Sequence, residues 1–463
     1  MNRRRFLHTF GVGTLPLLTM SLYSCNTERK KPNIILILAD DQGWSQLGCY
    51  GSDYYQTPNI DKLAEQGMRF TDAYAAAPVC SPTRASIQTG KYPARLHLTE
   101  FIAGFDIPMD KPLIEPDWHK VLPLEETTIA EALKQKGYTT AHIGKWHLSQ
   151  AKTPPESLPC NPDKQGYDET FVTYKPGRGM AREWQTPEND GHNVKIITEK
   201  SLDFIEENKD RPFFLQMSHN SVHGPLMEKQ ALIEKYKDHP GADEDKNHPV
   251  TAAMTETLDH SVGQVMNKLD ELGLAENTLL IYYSDNGNKE STVDQDPLRA
   301  GKGLLYEGGI RVPFIVRWPG HTPPGSVNHE PISSVDFLPT FLDILNLNLK
   351  RTNIDGKSIL ALFEGESSIG REAIYWHYPH YHRFAFPGGA IRQGKYKLIE
   401  RYDKSLWNQP GAFELYDLEK DIGEQNNLAT QMPKKTKELA EKLAAWRQLV
   451  GAQMPTKNPN YIP

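Results

Sequence analysis

Residues 78–90, P-V-C-S-P-T-R-A-S-I-Q-T-G, combine a small nucleophile with the start of a helix. Cys80 precedes Ser81 and Pro82, and Ser at an N-cap followed by Pro is a favoured helix start, so the pattern predicts a helix from Pro82. Cys80 would lie at a helix N-terminus, which attracts anions, and Arg84 adds a positive charge in the same turn. This arrangement suits attack on an anionic ester. The alternative is a buried structural thiol.

Carboxylates follow two stretches with the pattern of buried strands. Residues 32–39 and 278–284 are rich in large apolar side chains, as in parallel strands covered on both faces. Ligands in open α/β sheets gather at the carboxyl ends of strands, and adjacent carboxylates repel each other unless a cation lies between them. Solvated turn aspartates are the alternative. The residues at the two strand ends are Asp40, Asp41, Asp285 and Asn286.

Further residues that hold anions or move protons lie in three other motifs. In residues 137–148, G-Y-T-T-A-H-I-G-K-W-H-L, Lys145 and His147 are two positions apart and would share one face of a strand. His223 follows a further predicted strand, and Lys302 lies in a glycine-rich run. Each of these residues by itself has an ordinary structural explanation.

Together these motifs resemble the signatures of the type I sulfatases of the alkaline phosphatase superfamily, including arylsulfatase-like and exported bacterial carbohydrate sulfatases. C-S-P-T-R followed by T-G resembles the first signature, and residues 137–148 resemble the second throughout. Residues 301–313 resemble the family's G-K-x-x-x-x-E-G-G-x-R-x-P run, and His223 aligns with its H-x-P histidine. The resemblance extends from residue 31 to about residue 428.

The resemblance implies a sulfuric ester hydrolase that uses a formylglycine made from Cys80. A separate formylglycine-generating or anaerobic sulfatase-maturating enzyme would be the partner that makes it. A divalent cation is also implied, and its oxygen-rich ligand set suits calcium, or with less support magnesium, rather than zinc. The implied metal ligands are Asp40, Asp41, Cys80, Asp285 and Asn286.

The same resemblance assigns a role to each catalytic side chain. Arg84 and Lys145 would hold the hydrated formylglycine, and Lys145 and Lys302 would stabilise charge on the sulfuryl oxygens. His223 would protonate the departing alcohol beside Lys302, and His147 would accept a proton from the second hydroxyl group. The implied catalytic residues are Cys80, Arg84, Lys145, His147, His223 and Lys302; the substrate-binding residues are Lys145, His223, Lys302 and His97.

The sequence indicates less about the substrate pocket than about the catalytic core. A sulfated carbohydrate, with sulfated galactose or N-acetylgalactosamine as the first guess, is the expected substrate. A structural role explains each candidate sugar contact equally well. Besides His97, these candidates are Arg178, His377, His380, His382 and Arg392.

The predicted fold class is α/β, with a large mixed, mostly parallel sheet flanked by helices, as in alkaline phosphatase. Residues 30–365 would form this catalytic domain. Residues 366–463 would form a smaller C-terminal α+β subdomain with an antiparallel sheet, because aromatic-rich strands and a final amphipathic helix follow there.

Residues 1–24 resemble an export signal with twin-arginine character, and the following Cys25 completes a sequence similar to a bacterial lipoprotein box. An ordinary cleaved signal is the alternative. The rest of the chain has 49 basic and 59 acidic residues, a formal charge of −10, which argues against nucleic-acid binding. No later apolar run approaches the ~20 residues of a membrane span. We therefore expect a periplasmic or cell-surface protein, attached to the membrane only through a lipid on Cys25.

Two other functions compete with the sulfatase hypothesis. A phosphate or phosphonate ester hydrolase of the same superfamily would share the C-x-P-x-R motif. A non-catalytic, glycan-binding surface lipoprotein would have lost a ligand or an acid–base residue, whereas every implied position is present.

Overall fold

The strand Asn33–Ala39 lies inside the main sheet, with a parallel strand on each side. It pairs with Phe213–Ser218 on one side and with Thr278–Ser284 on the other. All seven of its residues are buried. A strand covered on both faces can be apolar at every position, which explains its unbroken run of Ile and Leu.

The computed structural model describes residues 30–105, 110–149, 160–174, 192–288, 295–349, 353–382 and 385–461. Within these ranges the strands are β1 (Asn33–Ala39), β2 (Met68–Phe70), β3 (Ala73–Tyr74), β4 (Leu113–Ile114), β5 (Thr139–Gly144), β6 (Glu169–Val172), β7 (Phe213–Ser218), β8 (Thr278–Ser284), β9 (Phe314–Arg317), β10 (Ser326–Asn328), β11 (Ile332–Ser333), β12 (Ile374–Tyr378), β13 (Gly388–Gln393), β14 (Tyr396–Arg401), β15 (Phe413–Asp417) and β16 (Thr456–Lys457). The α-helices are α1 (Pro58–Glu65), α2 (Cys80–Thr89), α3 (Pro93–Leu96), α4 (Ile129–Lys134), α5 (Val194–Glu207), α6 (Gln230–Lys237), α7 (Pro249–Glu271), α8 (Glu307–Ile310), α9 (Phe337–Ile344), α10 (Leu360–Phe363), α11 (Tyr402–Ser405) and α12 (Pro433–Val450).

Eight strands form the main sheet, in the order β10-β2-β9-β8-β1-β7-β5-β6. Strand β9 is antiparallel to both of its neighbours, and the other adjacent pairs are parallel. The mixed, mostly parallel sheet that the sequence predicts is therefore confirmed. Strand β1 and its parallel neighbours β7 and β8 end at the same edge, where the candidate site lies.

Helices cover both faces of this sheet. Alternate residues of β1 point to opposite faces. Ile34, Leu36 and Leu38 pack with apolar residues of α2, α4 and α9. Ile35 and Ile37 pack with those of α1, α5 and α7. The result is a three-layered α/β/α arrangement with one apolar cluster on each side of the sheet.

The C-terminal part of the chain forms a separate antiparallel sheet, in the order β12-β13-β14-β15. Residues of α12, including Leu439, Leu443 and Trp446, pack with buried residues of this sheet. The predicted small antiparallel sheet is thus confirmed. Residues Lys31–Pro463 form one compact unit, and the boundary at residues 365 and 366 stays a prediction. None of the helices in the described ranges has the length and apolar character needed to span a bilayer.

Two local predictions were wrong. Helix α2 begins at Cys80 rather than at Pro82, with Val79 in the N-cap position. Strand β5 ends at Gly144, so Lys145 and His147 do not share a strand face. The chain turns at Gly144, whose φ is 114°, and again at His147, whose φ is 61°. The alternation of side chains therefore ends before either catalytic candidate.

Candidate active site

Four predicted metal ligands meet at the carboxyl ends of β1 and β8. Ala39 and Ser284 are partners in the register of these strands, so the polar residues that follow them lie side by side. The backbone N–H of Asp41 donates to Oδ1 of Asp285 over 3.2 Å. Nδ2 of Asn286 donates to Oδ1 of Asp41 over 2.7 Å. All four residues are buried, and Asp40, Asp285 and Asn286 are fully so.

The guanidinium group of Arg84 contacts two of these carboxylates, those of Asp285 and Asp40. Its Nε and Nη2 atoms lie 2.8 and 2.7 Å from Oδ2 of Asp285, and its Nη1 atom donates to the carbonyl of Lys145 over 2.8 Å. Burial opposes the charge of this guanidinium, but Asp285 and Asp40 outweigh that effect and raise the pKa of Arg84. Arg84 therefore fixes the strand end that carries Asp285 against the loop that carries Lys145.

Cys80 lies at the first position of α2, between the carboxylates and a lysine. Its Sγ atom lies 3.5 Å from Oδ1 of Asp40, 3.7 Å from Oδ1 of Asp41 and 3.1 Å from Nζ of Lys302. Burial, followed by the charge of Asp285, raises the pKa of the Cys80 thiol. The encoded side chain is thus a protonated thiol, and its Sγ atom stands where an oxygen of a matured residue would lie.

Two lysines bring positive charge to the carboxylates around Cys80. Nζ of Lys145 lies 2.8 and 2.7 Å from the two carboxylate oxygens of Asp40. Nζ of Lys302 lies 2.5 Å from Oδ1 of Asp41. Burial disfavours the ammonium form of Lys302, but Asp41 and its neighbours raise the pKa of this lysine. Both ammonium groups are therefore held by the carboxylates that surround position 80.

His223 lies at the edge of the same cluster. Its Nε2 atom is 3.7 Å from Oδ2 of Asp41, and its Nδ1 atom is 2.6 Å from the carbonyl oxygen of Gly224. A carbonyl oxygen can only accept a hydrogen bond, so Nδ1 carries a proton. Nε2 is then the nitrogen that faces the cluster.

The imidazole of His147 is held by a backbone carbonyl group. Its Nε2 atom lies 2.5 Å from the carbonyl oxygen of Ile102, so Nε2 carries a proton. Its Nδ1 atom is buried and has no hydrogen-bond partner. Burial and the charges of Lys145 and Arg84 lower the pKa of His147 well below its usual value. The imidazole is therefore neutral, with Nδ1 as its basic nitrogen.

This geometry agrees with the comparisons with known proteins. Residues 32–347 match the family described as Sulfatase, and residues 300–449 match that described as N-sulphoglucosamine sulphohydrolase, C-terminal. The chain belongs to the sulfatase family. A Formosa agariphila sulfatase is 31% identical over 98% of this chain and 96% of its own. Homo sapiens arylsulfatase A is 33% identical, over 92% of this chain and 88% of its own.

A solved structure extends the likeness of this sulfatase to the whole fold. The crystal structure of Ps i-CgsB in complex with k-i-k-neocarrahexaose has a TM-score of 0.75 and 27% identity. The match covers 94% of this chain and 95% of that one. The sulfatase therefore shares its architecture, and not only its short motifs, with a protein that was solved with a bound oligosaccharide.

The family implies a metal ion and a formylglycine, and the residues of this sulfatase fit both. Ligand atoms of Asp40, Asp41, Cys80 and His223 all lie within 4.8 Å of one another. Oδ1 of Asn286 is buried without a hydrogen-bond partner, which leaves a carbonyl oxygen for a cation. Carboxylate and carbonyl oxygens are the ligands of a hard cation. The sequence placed Cys80 among the ligands but did not place His223 this close to them.

The residues predicted to contact sugar have different surroundings in the structure. Both ring nitrogens of His377 and of His380 have hydrogen-bond partners, and Arg392 contacts Asp72 over 2.6 Å, so these three stabilise the fold of the sulfatase. Nε2 of His97 lies 2.9 Å from the carbonyl of Gly451, and its substrate contact stays a prediction. His382 packs on the residue that follows Lys302. Arg178 lies outside the described residues.

Sequence reasoning missed two groups that hold candidate site residues, His147 and Asp41, in place. The carbonyl of Ile102 orients His147, and no side-chain pattern signals a backbone contact across 45 residues. Nδ2 of Asn288 donates to the carbonyl of Asp41 over 2.9 Å. A polar residue two positions after Asn286, at the same strand end, was the available signal.

Proposed function

We propose that this sulfatase removes sulfate from a sulfated carbohydrate, with position 80 as the nucleophile. The observation that carries the proposal is the placement of Cys80 between Asp41 and the ammonium group of Lys302. Three carboxylates and three cationic side chains balance each other there. A bound divalent cation would make the site positive, which favours an anionic ester over a neutral one.

The side chains of the chain have distinct tasks in this reaction. Lys145 and Lys302 hold the sulfate oxygens and stabilise the negative charge that grows on them. With both of its ring nitrogens protonated, His223 gives the Nε2 proton to the oxygen of the departing alcohol, and Nδ1 of His147 accepts a proton from the nucleophile side. When present, a cation supplies further positive charge and formylglycine supplies the attacking hydroxyl group.

The carbohydrate substrate is supported by the Ps i-CgsB structure, which holds an oligosaccharide on the same fold. Sulfated galactose and sulfated N-acetylgalactosamine are the first candidates within this class. We propose calcium as the cation, because several carboxylates and a side-chain carbonyl suit its flexible oxygen coordination better than the strict octahedron of magnesium.

Release of sulfate from a panel of sulfated sugars by the purified, matured protein tests this function. Parallel rates on an aryl sulfate and the matching aryl phosphate separate a sulfatase from a phosphate ester hydrolase. We expect sulfate release from at least one sugar and a clear preference for the aryl sulfate. A higher rate on the phosphate ester, or no release from any sulfate ester, would contradict the proposal.

Replacing His223 with alanine tests the assignment of the proton donor. A sugar alcohol is a poor leaving group that needs a proton, whereas a nitrophenolate leaves without one. We expect kcat to fall about 10²- to 10⁴-fold on a sulfated sugar and far less on nitrophenyl sulfate. The matched control is His329→Ala, because His329 is exposed and its Nδ1 atom pairs with Oγ1 of Thr71 rather than with a residue of the candidate site. Equal losses on both esters would assign His223 to binding rather than to proton transfer.

We also propose that the protein is exported and held at the membrane by a lipid on Cys25. Residues 1–24 and Cys25 lie outside the described residues, so this proposal is supported by sequence alone. Replacing Cys25 with serine should move the protein from the detergent phase to the aqueous phase in a phase-separation assay and abolish incorporation of labelled fatty acid. Unchanged partitioning would indicate an ordinary cleaved signal.

A further inference from the structure

Three aromatic side chains form a continuous group beside the candidate active site, which we term the aromatic wall: Phe101, Phe105 and His382. The ring centroids of Phe101 and Phe105 are 4.7 Å apart, and those of Phe105 and His382 are 4.8 Å apart. Both pairs meet edge to face. Phe105 is 38% exposed, so part of this apolar surface faces outward.

One end of the aromatic wall is joined to the residue that holds His147. Phe101 directly precedes Ile102, whose carbonyl oxygen contacts Nε2 of His147. The backbone N–H of Ile102 donates to Oγ of Ser81 over 3.0 Å, and Ser81 directly follows Cys80. The hydrogen bond between Ile102 and Ser81 therefore connects this end of the wall to the nucleophile position.

The other end of the aromatic wall lies against the segment that carries Lys302. A Cβ atom built on Gly303 would lie 2.2 Å from Nδ1 of His382, so the imidazole packs on the bare backbone there. Nζ of the preceding Lys302 lies 3.1 Å from Sγ of Cys80. The wall thus bridges the segment whose backbone holds His147 and the segment that carries Lys302.

Two hydrogen bonds join the chain segments that lead into the aromatic wall. Oγ1 of Thr99 lies 2.8 Å from Nε2 of His380. The hydroxyl of Tyr378 donates to Oε2 of Glu100 over 2.7 Å, and both of these groups are buried. These contacts fix the segment before Phe101 against the segment that leads to His382. A preorganised surface loses little conformational entropy when it binds a ligand.

We propose that the aromatic wall binds the sugar ring that carries the sulfate ester, through the exposed face of Phe105. This inference rests on the proposed function and specifies how that function selects carbohydrate. A sugar ring presents C–H groups on its faces, and binding pockets commonly pair an apolar aromatic surface with a few charged groups. In this arrangement Lys145 and Lys302 bind the sulfate group, and the aromatic wall binds the sugar ring attached to it.

The test measures binding separately from turnover. Cys80→Ala protein, which lacks the nucleophile, is titrated with a sulfated monosaccharide from the panel and with inorganic sulfate. Adding Phe105→Ala should raise the Kd for the sugar about tenfold while the Kd for inorganic sulfate changes less than about twofold. Phe105→Tyr should restore the sugar affinity. The matched control is Leu449→Ala, because Leu449 is 75% exposed on α12.

The outcomes separate this inference from the proposed function. Equal weakening of sugar and sulfate, an unchanged sugar affinity, or a loss equal to that of Leu449→Ala would overturn the role of the wall. Absence of sugar binding by the Cys80→Ala protein would overturn it as well. A selectively weaker binding of the sugar, together with no sulfate release by the matured wild-type protein, would support the role of the wall and overturn the proposed function.

Discussion

Replacing Cys80 with alanine should lower sulfate release on the order of 10⁴-fold or more, because it removes the atom that attacks the ester. The site around position 80 should otherwise persist, since the contacts of Sγ with the aspartates are long, at 3.5 and 3.7 Å. Lys302, whose Nζ atom lies 3.1 Å from Sγ, keeps its ion pair with Asp41 when Sγ is removed. Sulfate release and the far-ultraviolet circular dichroism spectrum, measured on the same preparations, check this expectation.

Cys49→Ala is the matched control, because Cys49 is a free, partly buried cysteine on the short turn Gly48–Tyr50. It should keep nearly full activity. The peptide that contains Cys80 should weigh about 18 Da less than its sequence predicts, the difference between a thiol and an aldehyde side chain. An active protein whose Cys80 is an unmodified thiol would contradict the formylglycine mechanism.

Replacing Asp41 with asparagine should lower kcat/KM at least about 10²-fold and abolish the stabilisation that a bound cation provides. Asparagine keeps the size of the side chain and tolerates the left-handed backbone at this position, where φ is 64°. It removes one charge from the donor set. A saturating cation at one hundred times its Kd stabilises a folded protein by about 2.7 kcal/mol, so thermal unfolding gives a readout that does not depend on activity.

Chelation provides the complementary measurement for the same site. EGTA with excess magnesium should inactivate the wild-type protein and lower its unfolding temperature, and calcium should restore both. Asp238→Asn, an equivalent change at an exposed surface position, should respond to calcium as the wild type does. Full activity in EGTA with magnesium would assign the site to magnesium, and full activity without any divalent cation would contradict a metal-dependent reaction.

The main sheet was predictable because its buried strands are recognisable from their unbroken apolar runs. A run such as residues 34–38 is apolar at every position only when both faces are covered, and the structure buries every one of these residues. Helix ends were less predictable. Helix α2 begins two residues before Pro82, because Cys80 and Ser81 adopt helical geometry although the N-cap pattern favours a later start.

Side-chain direction was the weaker part of the prediction around Lys145. Strand alternation places Lys145 and His147 on one face, whereas left-handed backbone at Gly144 and His147 redirects the chain after β5. Gly144 is required there, because a Cβ atom would lie 1.8 Å from the carbonyl oxygen of Ser218. The close approach of β5 and β7 at their ends therefore governs the position of Lys145.

The sequence by itself determined the fold class, the family and the identity of the residues that converge on position 80, because these depend on local patterns and short motifs. Only the tertiary structure decided which histidine nitrogen carries a proton, and that His382 lies at the site while His377 and His380 stabilise the fold. These outcomes depend on partners such as the carbonyl oxygens of Ile102 and Gln453, whose contacts with His147 and His377 join residues 45 and 76 positions apart. Burial and hydrogen bonding across such separations exist only after the chain has folded.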